Sequence, residues 1–387
     1  RKPRLCLSRF FQKNQPPNLF FHCPLSPTPN FTHAILMLTE DCNLRCQYCY
    51  VRGGERKKEL SLTAAKAALD WISDNALAQG KNSFSVQYFG GEPTVAWDLM
   101  MAIHKYANEV AIAKGLLYKC GVTTNGVISE KKLDWLIHNT LGRISISIDG
   151  PPDVHDAHRP LSGGRGSFAH VMRSIVRVNN LAPERLALRT TVSDISVAQL
   201  PRIIRFFSRK FPRALQSYEP LSGCGREDNL FNEPDPMDYV QKFFEGYCWA
   251  LSRGIRIRTS ILRLSSIGLP FCGAAGGNFV ISPRGIISGC HRMVTEEFDD
   301  AGLIYGRWDE AQGKFLFDQS AYQRMSSINL QNLAACADCF ARYSCRGDCL
   351  AVKAARGIDY RSEPSYRCDA IRWLVAQVVH FHLMNRL

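Results

Sequence analysis

No part of the 387-residue chain approaches the roughly 20 uninterrupted apolar residues that a membrane span needs. The best candidates, "FVISPRGII" and "AILML", are far too short, so no membrane partner is expected. The opening "RKPRLCLSRFFQK" is basic like a targeting peptide but lacks a compact apolar core ending in small residues, which argues against secretion. Internal repeats and low-complexity tracts are absent as well. Formal net charge is +13, yet no like-charge block exceeds "RKK", and the basic residues are scattered through segments such as "RIIRFFSRKFPR". With no RNA- or DNA-binding signature, that charge reads as a solvated surface, not a nucleic-acid footprint. The expectation is a cytoplasmic protein.

What is abundant is cysteine. There are fifteen, and a cytosolic setting keeps thiols reduced, so metal ligation is the better reading than disulfides. Their distribution agrees: Cys42, Cys46 and Cys49 lie together, and seven more fall between Cys272 and Cys368.

Between these groups strands and helices alternate. "AILMLTE", "FSVQYF", "YKCGVTTNG", "RISISIDG", "LALRTTVS" and "ALQSYEP" read as strands. The helices between them include "SLTAAKAALDWISDNALAQ", with Ser61 as cap, and a second ending at Gly115. Six such units predict an α/β fold with a parallel sheet, an open or closed barrel whose chemistry gathers at the carboxyl ends of the strands. From about residue 234 the rhythm changes to a bridging helix, a hairpin "NFVISPRGIISGC" and a cysteine-dense tail. Little regular structure is legible between Cys336 and Cys368, so metal rather than apolar burial is expected to hold that segment together. The expected organisation is an irregular segment 1–33, a barrel 34–233, a bridge 234–271, a cysteine-rich domain 272–370 and a final helix 371–387.

C-x3-C-x2-C on a loop leaving the first strand offers three thiolates and no nearby fourth ligand. A structural zinc site wants four; a cubane held by three leaves one iron open. Cys42, Cys46 and Cys49, the aromatic Tyr48 and "GGEP" at Gly90, Gly91, Glu92 and Pro93 together resemble the radical S-adenosylmethionine enzymes, over about residues 35–222. The resemblance implies a partial (β/α)6 barrel. It implies a 4Fe-4S cluster whose open iron binds the methionine end of S-adenosylmethionine, and reductive cleavage to a hydrogen-abstracting deoxyadenosyl radical. The two glycines would let backbone approach that ligand closely. Tyr48 would lie beside adenine, Ser147 and Asp149 would share a face toward the ribose or methionine carboxylate, and Asn125 would line the pocket. Arg159 and His155 follow strand four within reach of cofactor or substrate. Glu92-Pro93, Asn125 and Asp149 each have a plainer reading as turn or cap residues.

The tail pattern C-x12-G-x4-C, C-x2-C-x5-C-x3-C, then a final cysteine resembles the SPASM extension of the same enzymes. By that resemblance Cys272, Cys290 and Cys349 hold a first auxiliary 4Fe-4S cluster, and Cys336, Cys339, Cys345 and Cys368 a second. With the radical cluster that makes three. Relatives with a fully ligated first cluster carry one more cysteine shortly before the position of Cys272, where "LRLSSIGLPF" has none. An open or non-cysteine site is therefore expected there, with Cys224 and Cys248 as candidates to fill it. A single zinc held by C-x2-C and C-x3-C is the competing reading.

Such a tail implies a peptide maturase forming an oxidative cross-link (carbon–carbon, as in a cyclophane, thioether or ether). Its partners would be a ribosomally made precursor and a one-electron reductant such as flavodoxin or ferredoxin. Thirty-three residues before the first strand are too few for a leader-binding winged helix, so either the barrel and tail catch the precursor directly or a separate leader-binding protein presents it. Anaerobic sulfatase-type maturation, oxidising Cys or Ser to formylglycine, is disfavoured because the Asp that follows the equivalent cysteine there is replaced by His291 in "GCHRM". His291 is the candidate base, accepting a proton near its ordinary pKa. A non-catalytic iron-sulfur scaffold or electron carrier is the alternative from another class.

Overall fold

Strand β2 (Ser83–Phe89) buries Phe84, Val86 and Tyr88 and turns Ser85, Gln87 and Phe89 the other way, the period of a strand covered by helices on one face. The computed structural model describes residues 29–223, 226, 231–264, 266, 268–296, 299 and 301–385. Most of the 1–33 segment, with Cys6 and Cys23, lies outside the described residues, as does Cys224.

Strands β1 (His33–Met37), β2, β3 (Leu117–Thr124), β4 (Ile144–Ser147), β5 (Leu186–Val192) and β6 (Leu215–Pro220) pair in sequence order, all parallel. Their crossovers carry helices α1 (Leu62–Ala78), α2 (Trp97–Lys114), α3 (Glu130–Asn139), α4 (Pro152–His158), α5 (Phe168–Leu181) and α6 (Leu200–Lys210). Ser61 caps α1 by accepting from the Ala64 N–H at 3.3 Å, and Gly115 ends α2 in a left-handed conformation. Ile72 of α1, Ile103 of α2 and Ile175 of α5 join Val86, Val122 and Ile146 of the strands in one core. The opposite face is polar along most of β2 to β6, whereas β1 places Ile35 and Met37 there against Phe89 and Val280.

Three features depart from the sequence reading. "SVAQLPRIIRFFSRKF" is two helical pieces, Asp194–Val197 and α6, with Pro201 in the first turn of the second, where its missing N–H costs no hydrogen bond. The sheet also extends past six strands. On one edge β7 (Ile257–Arg258) joins β6; on the other, tail strand β8 (Phe279–Ile281) pairs in parallel with β1. From β8 the chain runs antiparallel through β9 (Ile286–Ser288), β10 (Ile304–Asp309) and β11 (Lys314–Phe317), giving a continuous eleven-stranded sheet. The β8–β9 hairpin was expected; its docking on β1, and β10 and β11, were not.

The third departure is the tail between Cys336 and Cys368. Short helices Arg342–Cys345 and Leu350–Ala354 form there, and Ala341, Leu350 and Ala351 belong to the main core. Asp348, 1% exposed, takes two hydrogen bonds from Arg367 at 2.6 and 2.9 Å and one from Ser365 at 2.6 Å. Buried Lys353 donates to the carbonyls of Tyr360 and Glu363. Apolar burial and a buried ion pair thus hold this segment, correcting the expectation that metal alone would. The last helix, α8 (Cys368–Asn385), starts three residues before 371 and packs on the bridging helix α7 (Pro236–Leu251), with Trp373 edge-on to Phe244. Among the described residues no helix is long and apolar enough to cross a membrane.

Asp348→Asn keeps a side chain that tolerates the left-handed backbone at this position (φ 66°) but removes the charge facing Arg367. It is expected to cost about 3–5 kcal/mol, read as a drop in Tm. Glu109→Gln, which breaks the exposed pair with Lys105, should cost ~1 kcal/mol or less.

Candidate active site

The loop leaving β1 is shaped by backbone contact. The Gly91 N–H donates to the Thr39 carbonyl at 2.7 Å and the Glu92 N–H to the Asp41 carbonyl at 2.8 Å. A Cβ on Gly91 would sit 2.3 Å from the Asp41 oxygen, and one on Gly90 (φ 137°) 2.7 Å from the Thr39 oxygen. The glycines are therefore required by the packing of two backbones, not only by the approach of a ligand. Pro93 is buried behind this turn.

Each of the three loop sulfurs faces N–H donors. Cys42 Sγ has the Leu44 N–H at 3.4 Å and Asn125 Nδ2 at 3.6 Å; Cys49 Sγ has the Gly53 N–H at 3.3 Å; Cys46 Sγ has Arg159 Nη1 at 3.9 Å. Donors of this kind suit thiolates. A Cβ on Gly53 would come within 3.1 Å of Cys42 Cβ and 3.7 Å of Cys49 Sγ, so the sulfurs cluster around bare backbone. Burial pushes Cys46 up to about 12 and Cys42 well above the ordinary thiol range; a metal here must displace protons as it binds. Among the described residues no three His, Cys, Asp or Glu side chains converge on a single-ion site.

Two carboxylates brace this loop from behind. Glu92, fully buried, accepts from Thr94 Oγ1 at 2.7 Å, Thr124 Oγ1 at 2.8 Å and the Asn125 N–H at 2.7 Å. Asn125 in turn donates to Asn43 at 2.7 Å. Asp149, also fully buried, accepts from Tyr48 Oη, from Arg159 Nε at 2.9 Å and from the Thr191 N–H at 2.9 Å, and His158 Nδ1 lies 3.3 Å away. Burial alone would raise the Asp149 carboxyl, but Arg159 and His158 hold it well below the usual range.

Each of the expected site residues has partners within the protein. Tyr48 is buried, edge-on to His158 with Arg159 over its ring, so its hydroxyl serves Asp149. The Asp149 carboxylate faces Tyr48 and Arg159 in place of an open pocket. Ser147 ends β4, half-buried and level with Arg189 of β5. His155 accepts from the Asp149 N–H at 3.2 Å and meets Ser167 Oγ at 2.9 Å, and burial holds its pKa down at about 4. Sequence reasoning missed His158, although it shares helix α4 with His155. It also missed Arg226, which grips the loop through the carbonyls of Cys46 at 3.0 Å and Gly53 at 2.7 Å; no local pattern marks a contact so distant in sequence.

His291 lies against Phe89 and Tyr50, with ring centroids at 4.8 and 5.8 Å. Burial, then the charges of Arg189 and Arg292, lower its pKa to about 4, which corrects the expectation of an ordinary value. Cys290 feels the charges of Cys349 and Cys272, placing those three sulfurs together. Cys336, Cys339, Cys345 and Cys368 line one pocket with Lys353 and Arg372. Cys248 sits on α7, and Cys120 is packed inside β3.

A parallel partial barrel that delivers three donor-lined thiols from the end of its first strand, under a double-glycine turn, is a radical S-adenosylmethionine fold. Residues 36–206 match the Radical SAM superfamily; this is a radical SAM domain, and the cysteine-rich extension resembles the SPASM type. The chain is 27% identical over 338 residues to mycofactocin maturase MftC of Mycolicibacterium smegmatis, covering 83% of this chain and 78% of that one. It superposes on anSMEcpe with bound AdoMet and Cp18Cys peptide at a TM-score of 0.71 and 17% identity, covering 92% of this chain and 99% of that one. On Streptococcus suis SuiB bound to precursor peptide SuiA the values are 0.60 and 15%, covering 87% and 76%.

Gly91→Ala is expected to add about 1–3 kcal/mol of overpacking and to lower iron loading at the N-terminal thiols. Gly80→Ala, left-handed but with no atom within 4 Å of its Cβ, should lose only ~1 kcal/mol and load iron normally. Thermal unfolding and iron content after anaerobic reconstitution check the pair.

Proposed function

We propose that this chain is a radical SAM peptide maturase. Cys42, Cys46 and Cys49 hold a 4Fe-4S cluster, and the Gly90–Pro93 turn, Asn125 and Ser147 contact S-adenosylmethionine. The observation that carries this is the arrangement of N–H donors on all three loop sulfurs at the strand ends. When bound, cluster and S-adenosylmethionine supply the deoxyadenosyl radical that abstracts hydrogen from a substrate residue. The protein's own share is position and exclusion of water: Asp149 and Glu92 hold the strand ends, Tyr48 and Arg159 hold the loop, and Arg159 sets positive charge beside Cys46.

Cys272, Cys290 and Cys349 form one auxiliary site and Cys336, Cys339, Cys345 and Cys368 another. Three thiolates at the first would leave one iron of a cubane for a further ligand, substrate or water. Clusters held by these cysteines would take up the electron released as the substrate is oxidised, and a flavodoxin- or ferredoxin-like protein would supply the electron that opens S-adenosylmethionine. The product is an oxidative cross-link in a ribosomally made precursor. Formylglycine formation is disfavoured because His291, half-buried and neutral near pH 7, stands where that chemistry uses an Asp.

Reconstituted protein with dithionite is expected to cleave S-adenosylmethionine to 5′-deoxyadenosine, and the Cys42→Ala, Cys46→Ala and Cys49→Ala variants to lose that activity. A precursor co-expressed with the enzyme should lose the mass of two hydrogens. Fully cluster-loaded protein that never cleaves S-adenosylmethionine would make the chain an electron carrier.

A further inference from the structure

Beneath the sulfur loop, the inner faces of β2 to β7 line a cavity of about 290 Å³ whose charged residues are all cationic: Arg143, Arg189 and Arg258. The register explains their convergence. Arg189 lies opposite Ser217 of β6, and Ser217 opposite Arg258 of β7. Arg143 precedes by two the Ser145 that faces the same cavity, so the period of a strand turns both inward. The remaining polar lining is neutral and can donate or accept: Gln87, Thr123, Ser145 and Ser217.

Among the described residues none of these three guanidinium groups has a hydrogen bond or ion pair within the protein. Glu219, the carboxylate on this face, lies at the cavity's edge, where it accepts from the lining Ser217 Oγ at 2.8 Å and from the Ser260 N–H at 3.0 Å without pairing with any of the three arginines. The three side chains are solvent-exposed at the cavity's rim, so water screens their mutual repulsion, and among the described residues no carboxylate pairs with them. The guanidinium fork matches a carboxylate in geometry and charge.

We infer that this cavity binds a carboxylate of the peptide substrate, so that an adjacent residue of that peptide is held under the radical-generating loop. The inference rests on the peptide-maturase reading for the nature of the ligand, since carboxylates are the anionic groups an unmodified peptide carries. Either an Asp or Glu side chain or the chain terminus can supply it.

The test is binding to the full-length, cluster-loaded protein by titration calorimetry. The probes are N-acetylglycine (terminal carboxylate), N-acetylaspartate α-amide (side-chain carboxylate), neutral N-acetylglycinamide and inorganic phosphate. A carboxylate probe should bind and the neutral amide should not; which carboxylate binds more tightly identifies the source. The R143Q/R258Q double variant should lose about tenfold or more in that affinity, and R143K/R258K should recover part of it. Affinity for S-adenosylmethionine should be unchanged in both, and cluster absorbance and circular dichroism should show that both fold. Equal carboxylate affinity in wild type and R143Q/R258Q would overturn the proposal. So would preference for phosphate, or a parallel loss of S-adenosylmethionine affinity, which would assign the arginines to the methionine carboxylate. Binding is read without turnover: failure to cleave S-adenosylmethionine, with arginine-dependent carboxylate binding intact, would count against the maturase reading and leave the anion site standing.

Discussion

Two carboxylates with no solvent contact, Glu92 and Asp149, determine where the sulfur loop can sit. Glu92 ties the end of β2 to the end of β3 through Thr124 and Asn125, and Asn125 reaches on to Cys42. Asp149 ties the end of β4 to Thr191 on β5, to Tyr48 within the loop, and through Arg159 to Cys46. A buried charge that lost its partners would cost several kcal/mol. Each carboxylate has several donors: those of Glu92 lie on its own turn and at the end of β3, those of Asp149 on β5, in the loop at Tyr48 and at Arg159. Displacing the loop therefore breaks a network and not a single bond, which is the form of preorganisation a three-thiolate site needs.

The tail is built onto the same frame. Strand β8 pairs with β1, the strand that delivers the thiols, and Arg284 from the β8–β9 turn pairs with Glu40 at the start of the loop at 2.7 Å. Arg292 donates to the Ser222 carbonyl beyond β6 at 3.1 Å. Tyr50, directly after Cys49, feels the charge of both Cys49 and Cys290. The tail is thus anchored to the same backbone that carries the first three thiols, and the cavity with its three arginines is built from the strands of the same sheet.

The barrel was legible because its strands obey period two and its helices bear ordinary signals at Ser61 and Gly115. The thiol spacings were legible because cysteines at such short intervals stand out in the sequence itself. Contacts made across long separations were not. Nothing near Arg226 announces that it grips a loop 180 residues earlier, and nothing in "FVI" announces that it extends the sheet at β1. The glycines of "GGEP" were recognised, but an important reason for them, the close passage of the 39–41 backbone, appears only in three dimensions. His291 was credited with an ordinary pKa because sequence carries no measure of burial. Between Cys336 and Cys368 the short helices lack a full period of apolar residues, so their share of the core could not be read.

The central claim is that the loop thiols hold a cluster with an iron open to S-adenosylmethionine. The direct measurement is the electron paramagnetic resonance spectrum of the reduced, fully loaded protein, with and without S-adenosylmethionine, compared with the Cys42/Cys46/Cys49→Ala triple variant. The account predicts one cluster signal that shifts on adding S-adenosylmethionine and is missing from the variant, with the tail signals unchanged. A wild-type spectrum indifferent to S-adenosylmethionine, or identical to that of the variant, would contradict it.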